Sequence, residues 1–166
     1  MNISDILTLY DYNYWATGRI VTAGLNASDE QFITPTTQSF SNLRGTLVHI
    51  VDAECGWRML CQNHTLAYFE KMEQSAFPTL MVLQRSCHDE ERAMRDYLAQ
   101  LTDNDLASIV RYTLDNGQKR ERVLWHCLVH VVNHGTHHRS QAASILKGFG
   151  HSPGELDFTI FLNERH

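Results

Sequence analysis

Apolar residues recur at the helical period in four stretches of this chain, and strand-forming residues crowd a fifth. The first stretch runs from Ser4, an N-cap type, to Leu25, with Ile3, Leu7, Tyr10, Tyr14, Val21 and Leu25 on one stripe. The second runs from about Ser41 to Cys61 and carries Leu43, Leu47, Ile50, Trp57 and Cys61. Pro78 suits the first turn of the third, whose stripe is Leu80, Leu83, Cys87, Met94, Leu98 and Leu101. The fourth extends from about Arg122 to Lys147 and stops at Gly148 or Gly150. Between the last two lies Ile109 to Leu114, followed by Asn116-Gly117, a pair suited to a type I′ turn. A small β-hairpin before the last helix is one reading of that segment; an irregular loop is the other. The fold class expected is all-α, a four-helix bundle with long connections. Its first two connections, on the order of fifteen residues each, allow a crossover that sets neighbouring helices parallel. After Pro153-Gly154, the apolar run Leu156 to Leu162 is expected to dock across one end.

Composition narrows the function more than the fold. With 166 residues the chain fits one domain, expected over residues 1–166. Its formal net charge of −5, with scattered basic residues, argues against nucleic acid as a partner, because phosphate binding needs clustered Lys and Arg. No run of eighteen apolar residues exists to span a membrane, and the N-terminus lacks the basic region of a secretory signal. Cys55, Cys61, Cys87 and Cys127 stand far apart with no Cys-x-x-Cys pair, so reduced thiols in the cytoplasm are expected. The unusual feature is histidine: ten in all, five of them between His126 and His138.

At 100° per residue, Cys127, Val131, Ala142, Ile145 and Phe149 fall within roughly 40° of one line, and so do His134 and His138. His130 and His137 lie about 80–100° off that line, and His126 further round. Two imidazoles four residues apart emerge one above the other on the buried face. Each carries a donor and an acceptor that must be satisfied there. Separate bonds to a carbonyl or a water would do so. A shared divalent metal would satisfy both rings at once, and the i, i+4 spacing favours it. His49, on the shoulder of the second helix's stripe, is either a boundary residue or a third ligand; periodicity leaves both open. His64, His88, His151 and His166 lie on polar stretches, at a helix end or in the tail.

Several classes of chemistry are excluded. A zincin needs Glu directly after the first histidine, and His134-Gly135-Thr136-His137-His138 has no carboxylate. Di-iron bundles need Glu-x-x-His, which is absent, as are a P-loop, a dinucleotide fingerprint and a nucleophile-elbow motif.

The run Val132-Asn133-His134-Gly135-Thr136-His137-His138-Arg139-Ser140-Gln141 resembles the signature of the DinB family of metal-binding four-helix bundles. So do Gly150-His151-Ser152-Pro153 with Leu156-Asp157-Phe158, and the earlier Tyr12-Asn13-Tyr14-Trp15-Ala16 and Leu47-Val48-His49-Ile50-Val51-Asp52-Ala53-Glu54. Ser140 stands where the signature commonly has glycine, off the ligand face. The resemblance implies a divalent metal held by His49, His134 and His138, and often a homodimer. It also implies relatives that act as thiol-dependent transferases or isomerases with low-molecular-weight thiols.

Three neutral imidazoles leave coordination positions open, as catalytic sites do. The leading expectation is therefore a metal-dependent enzyme, a thiol-dependent transferase or hydrolase acting on a small substrate. The alternative is a non-catalytic metal-binding stress protein, of the damage-inducible type. Nitrogen ligands suit zinc, nickel, iron or copper and disfavour magnesium and calcium; zinc or nickel is expected. Glu54 is a candidate partner behind the ligands or proton acceptor, or else a carboxylate reaching the bundle edge. Asn13, Trp15 and Asn133 are candidate pocket residues, with plain core packing the alternative for the aromatic one.

Overall fold

The computed structural model describes every residue except Gln38, Ser39, Tyr68, Asp115 and His166. Its helices are α1 (Ile3–Gly24), α2 (Asp29–Ile33), α3 (Leu43–Asn63), α4 (Leu80–Leu98), α5 (Leu124–Gly148) and α6 (Phe158–Glu164). Strands β1 (Ile109–Thr113) and β2 (Lys119–Val123) pair antiparallel, with Tyr112 opposite Arg120 and Ile109 opposite Val123. The hairpin reading of that segment is thus the observed one. No helix among the described residues is long and apolar enough to cross a membrane.

Helix starts sit a residue or two from where the pattern places them, each for a capping reason. α1 is capped by Asn2, whose side chain and Asp5 form a reciprocal capping box, so Ser4 lies inside the helix. Asn42 caps α3 and Thr79 caps α4. Pro78 therefore precedes the cap instead of occupying the first turn. Arg122 belongs to β2, because the strand runs straight into α5 with Leu124 N–H donating to Ser108 O at 2.8 Å.

Helices α1, α3, α4 and α5 form the bundle, and two apolar clusters fill its ends. One joins Ile6, Tyr10, Leu60, Met94, Leu98, Cys127 and Val131. The other joins Ile20, Leu43, Leu47, Leu83, Ala142 and Leu146. The early parts of α1 and α5 meet the late parts of α3 and α4 in the first cluster, and the reverse holds in the second. So α1 and α5 run one way and α3 and α4 the other. The long connection after α3 is the crossover that lets α3 and α4 lie parallel.

Between the clusters lies a polar layer, with Asn13 on α1, Glu54 on α3, Glu90 on α4 and Arg139 on α5, all buried. It explains why the stripe of α1 is turned from the one its apolar residues suggest. Leu7 and Leu25 are exposed, while Asn13 faces inward and bonds across the bundle. The tail docks as expected, as α6. Tyr12 Oη donates to Leu156 O at 2.9 Å, and Tyr12 and Trp15 pack on Phe161.

Candidate metal centre

His49 comes from α3, and His134 and His138 from successive turns of α5. These two helices share the most extensive helix contact in the bundle. One ring nitrogen from each of the three histidines lies within 4.8 Å of the other two. The Nε2 atoms of His49 and His134 are 3.0 Å apart. The ring centroids stand 4.8 Å apart for His49 and His134, 4.6 Å for His49 and His138, and 4.4 Å for His134 and His138. His138 is buried; the other two are half-buried.

Local sequence explains the convergence. Gly45, one turn before His49, leaves space for the chain preceding α3, since a Cβ there would collide with Phe40 O. Phe40 is thereby laid on the site, its ring stacked on His49 at 4.0 Å and edge-on to His138 at 5.3 Å. On the next turn of α3, Asp52 accepts the Met72 N–H at 2.7 Å and ties down the crossover. Gly135 allows α5 to approach α1: a Cβ there would stand 2.9 Å from Asn13 Oδ1 and 2.7 Å from Arg139 Nη1.

Burial favours the neutral imidazoles of His49 and His134. Desolvation lowers the pKa of His49, helped by His138 and opposed by Asp52. Desolvation, then His138 and His49, pushes His134 down to about 4. Neutral imidazole is the form that binds a cation. The distances fit one: nitrogens 2.0–2.1 Å from a shared tetrahedral ion stand about 3.3 Å from each other. The closest pair here is slightly nearer than that, and all three nitrogens lie within 4.8 Å of one another. The cluster could hold a metal ion, and its all-nitrogen donor set fits the transition metals named above.

The group behind the ligands is one the sequence reading missed. His138 Nδ1 donates to Gln141 Oε1 at 2.8 Å. Its only signal was an amide three residues after a candidate ligand. Glu54, the expected partner, faces elsewhere: at 100° per residue it lies about 140° round α3 from His49. Its carboxylate accepts from Tyr14 Oη at 2.6 Å and Asn13 Nδ2 at 3.2 Å, both on α1. Burial raises its pKa to about 7, against the lowering effect of the Tyr14 and Asn13 bonds. Asn13 is thus bound into the polar layer, where its Oδ1 also accepts from Arg139, and is no pocket residue. Trp15 donates Nε1–H to Glu164 Oε2 at 2.9 Å and anchors α6. Asn133 is exposed.

The remaining described histidines do not join the cluster. His130 and His137 are exposed, their rings 5.9 Å from His134 and 4.8 Å from His138 respectively. His126, His64 and His88 are exposed and His151 half-buried, while His166 lies outside the described residues.

The sequence matches the DinB family over residues 1–165. A relative in Bacillus subtilis (strain 168), described as "Protein DinB", is 24% identical over 170 residues, covering 93% of this chain and 91% of the relative.

Proposed function

Because this chain belongs to the DinB family, we propose that it is a metal-dependent enzyme, with His49, His134 and His138 holding one divalent transition ion, zinc or nickel. The carrying observation is the convergence of three imidazole nitrogens from two helices within 4.8 Å. An ion bound there would supply Lewis acidity, lowering the pKa of a water or thiol and polarising a carbonyl. The chain's own residues do the rest. Gln141 holds the His138 proton on Nδ1, which leaves Nε2 as the ligand atom. Phe40 covers His49 and limits water on that side. Burial of His49 and His134 disfavours their protonated forms, so protons compete weakly for the site.

The reaction we assign is transfer or hydrolysis on a small substrate, with a low-molecular-weight thiol as the candidate cosubstrate. The support is the vacancy that three ligands leave on a four-coordinate ion. We read residues 1–166 as one domain working as a homodimer in the cytoplasm. The four cysteines, all free, support a reducing compartment.

Metal analysis of protein prepared without an affinity tag or metal column tests the reading. Wild type is expected to carry about one ion per chain, and a His134→Ala, His138→Ala variant to carry almost none. Equal metal in the two proteins would overturn it.

A further inference from the structure

A separate recess opens one turn of α5 before His134, between α3, α5 and the hairpin. Its volume is about 390 Å³, and it is bounded by Trp57, Tyr112, Arg122, His126, Cys127 and His130. That volume lies within the range of small-molecule pockets, roughly 300–1,000 Å³. Trp57 meets Tyr112 edge-on at 5.5 Å and His130 at 5.0 Å, so one wall is a connected aromatic surface. Cys127, 2% exposed, lies deep in the recess.

The charge of the recess is one-sided. Its lining contains one arginine and no carboxylate, and the two histidines beside Arg122 add ring N–H groups that can donate. Arg122 Nη1 donates to the Glu121 carbonyl at 2.7 Å. The Glu121 carboxylate is instead 2.7 Å from Arg111 Nε. Among the described residues no carboxylate pairs with Arg122, and its guanidinium bonds only to the Glu121 carbonyl, leaving N–H groups to meet a ligand. In a chain of net charge −5, an uncompensated guanidinium beside an aromatic wall selects for an anion with a flat body.

We propose that this recess binds an aromatic carboxylate, its ring against Trp57 and Tyr112 and its carboxylate on Arg122 and His126. Bound there, the ligand lies beside His130, whose ring is 5.9 Å from that of His134. As a binding site the recess stands without the metal; as the anchoring part of a substrate site it rests on the metal-centre reading.

Calorimetric titration of the full chain with 2-naphthoate, and with its neutral counterpart 2-naphthamide, tests the assignment. The carboxylate is expected to bind at least about tenfold more tightly than the amide, the worth of a charge-assisted contact. Arg122→Gln, at an exposed position, should abolish that preference, and Trp57→Leu should weaken both ligands. No measurable binding, equal affinity for the two ligands, or unchanged naphthoate affinity in Arg122→Gln would each overturn the proposal. Naphthoate affinity that vanishes on EDTA treatment while Arg122→Gln preserves it would place the carboxylate on the metal and also defeat the recess. Metal content is measured on the same preparations. A failed metal centre therefore shows as equal metal in wild type and the double histidine variant, whatever naphthoate does.

Discussion

Gln141 Oε1 lies 2.8 Å from His138 Nδ1, one turn further along α5. An amide oxygen only accepts, so Nδ1 carries the proton and Nε2 keeps its lone pair. A buried ring that must present one particular nitrogen is thus fixed in tautomer and orientation by its own helix.

Removing that acceptor should loosen the metal without unfolding the bundle. Gln141→Leu is expected to lower metal affinity by about 10- to 100-fold, read by competition with a coloured chelator. Gln141→Glu keeps an acceptor on Nδ1 and should retain wild-type affinity or exceed it. A Leu variant as tight as wild type would show that the bond does not support the ligand.

Glu54 should give the fold a pH dependence of unusual sign. Its carboxyl is held at about 7 in the folded chain against an ordinary 4.5, chiefly by burial. Between those values the folded chain holds the proton more firmly than the unfolded one. The contribution to stability is therefore complete below about pH 4.5 and is lost as the pH rises through about 7. Glu54→Gln cannot titrate. Wild type should lose up to about 3 kcal/mol relative to this variant between pH 5 and 8, measured by urea denaturation. A difference that is flat with pH would refute the assignment.

Gly135→Ala would place a methyl 2.9 Å from Asn13 Oδ1 and 2.7 Å from Arg139 Nη1. Alanine is the better helix former by roughly 1 kcal/mol, yet Arg139 is 1% exposed and has nowhere to move. The clash should win, with a net loss of about 1–3 kcal/mol in denaturant midpoint analysis. A stabilised variant would mean that α5 can retreat from α1 without cost.

The bundle was legible in the chain wherever burial and apolarity coincide. The stripes of α3 and α4 read correctly, since Leu43, Leu47, Ile50, Leu80, Leu83 and Met94 are all buried. α1 read less well, because a buried Asn13 breaks the rule that polar residues face out. Its burial is compensated by Glu54 and Arg139, two residues far away in sequence. Arg139 itself, among the largest fully buried side chains, gave no local sign of its position, and a guanidinium is rarely so enclosed.

Helix periodicity by itself determined that His134 and His138 share one face of α5, since i, i+4 stacking needs only local backbone geometry. It also determined a helical bundle, while the segment before α5 read equally as a hairpin or a loop until the β1–β2 pairing decided it. Only the packing of α3 against α5 decided that His49 meets those two rings, and only the polar layer decided that Glu54 turns toward α1. Both outcomes depend on how one helix is rotated against another. That rotation is set by the sum of contacts along the whole interface, including the close approaches at Gly45 and Gly135, and no window along a single helix contains it.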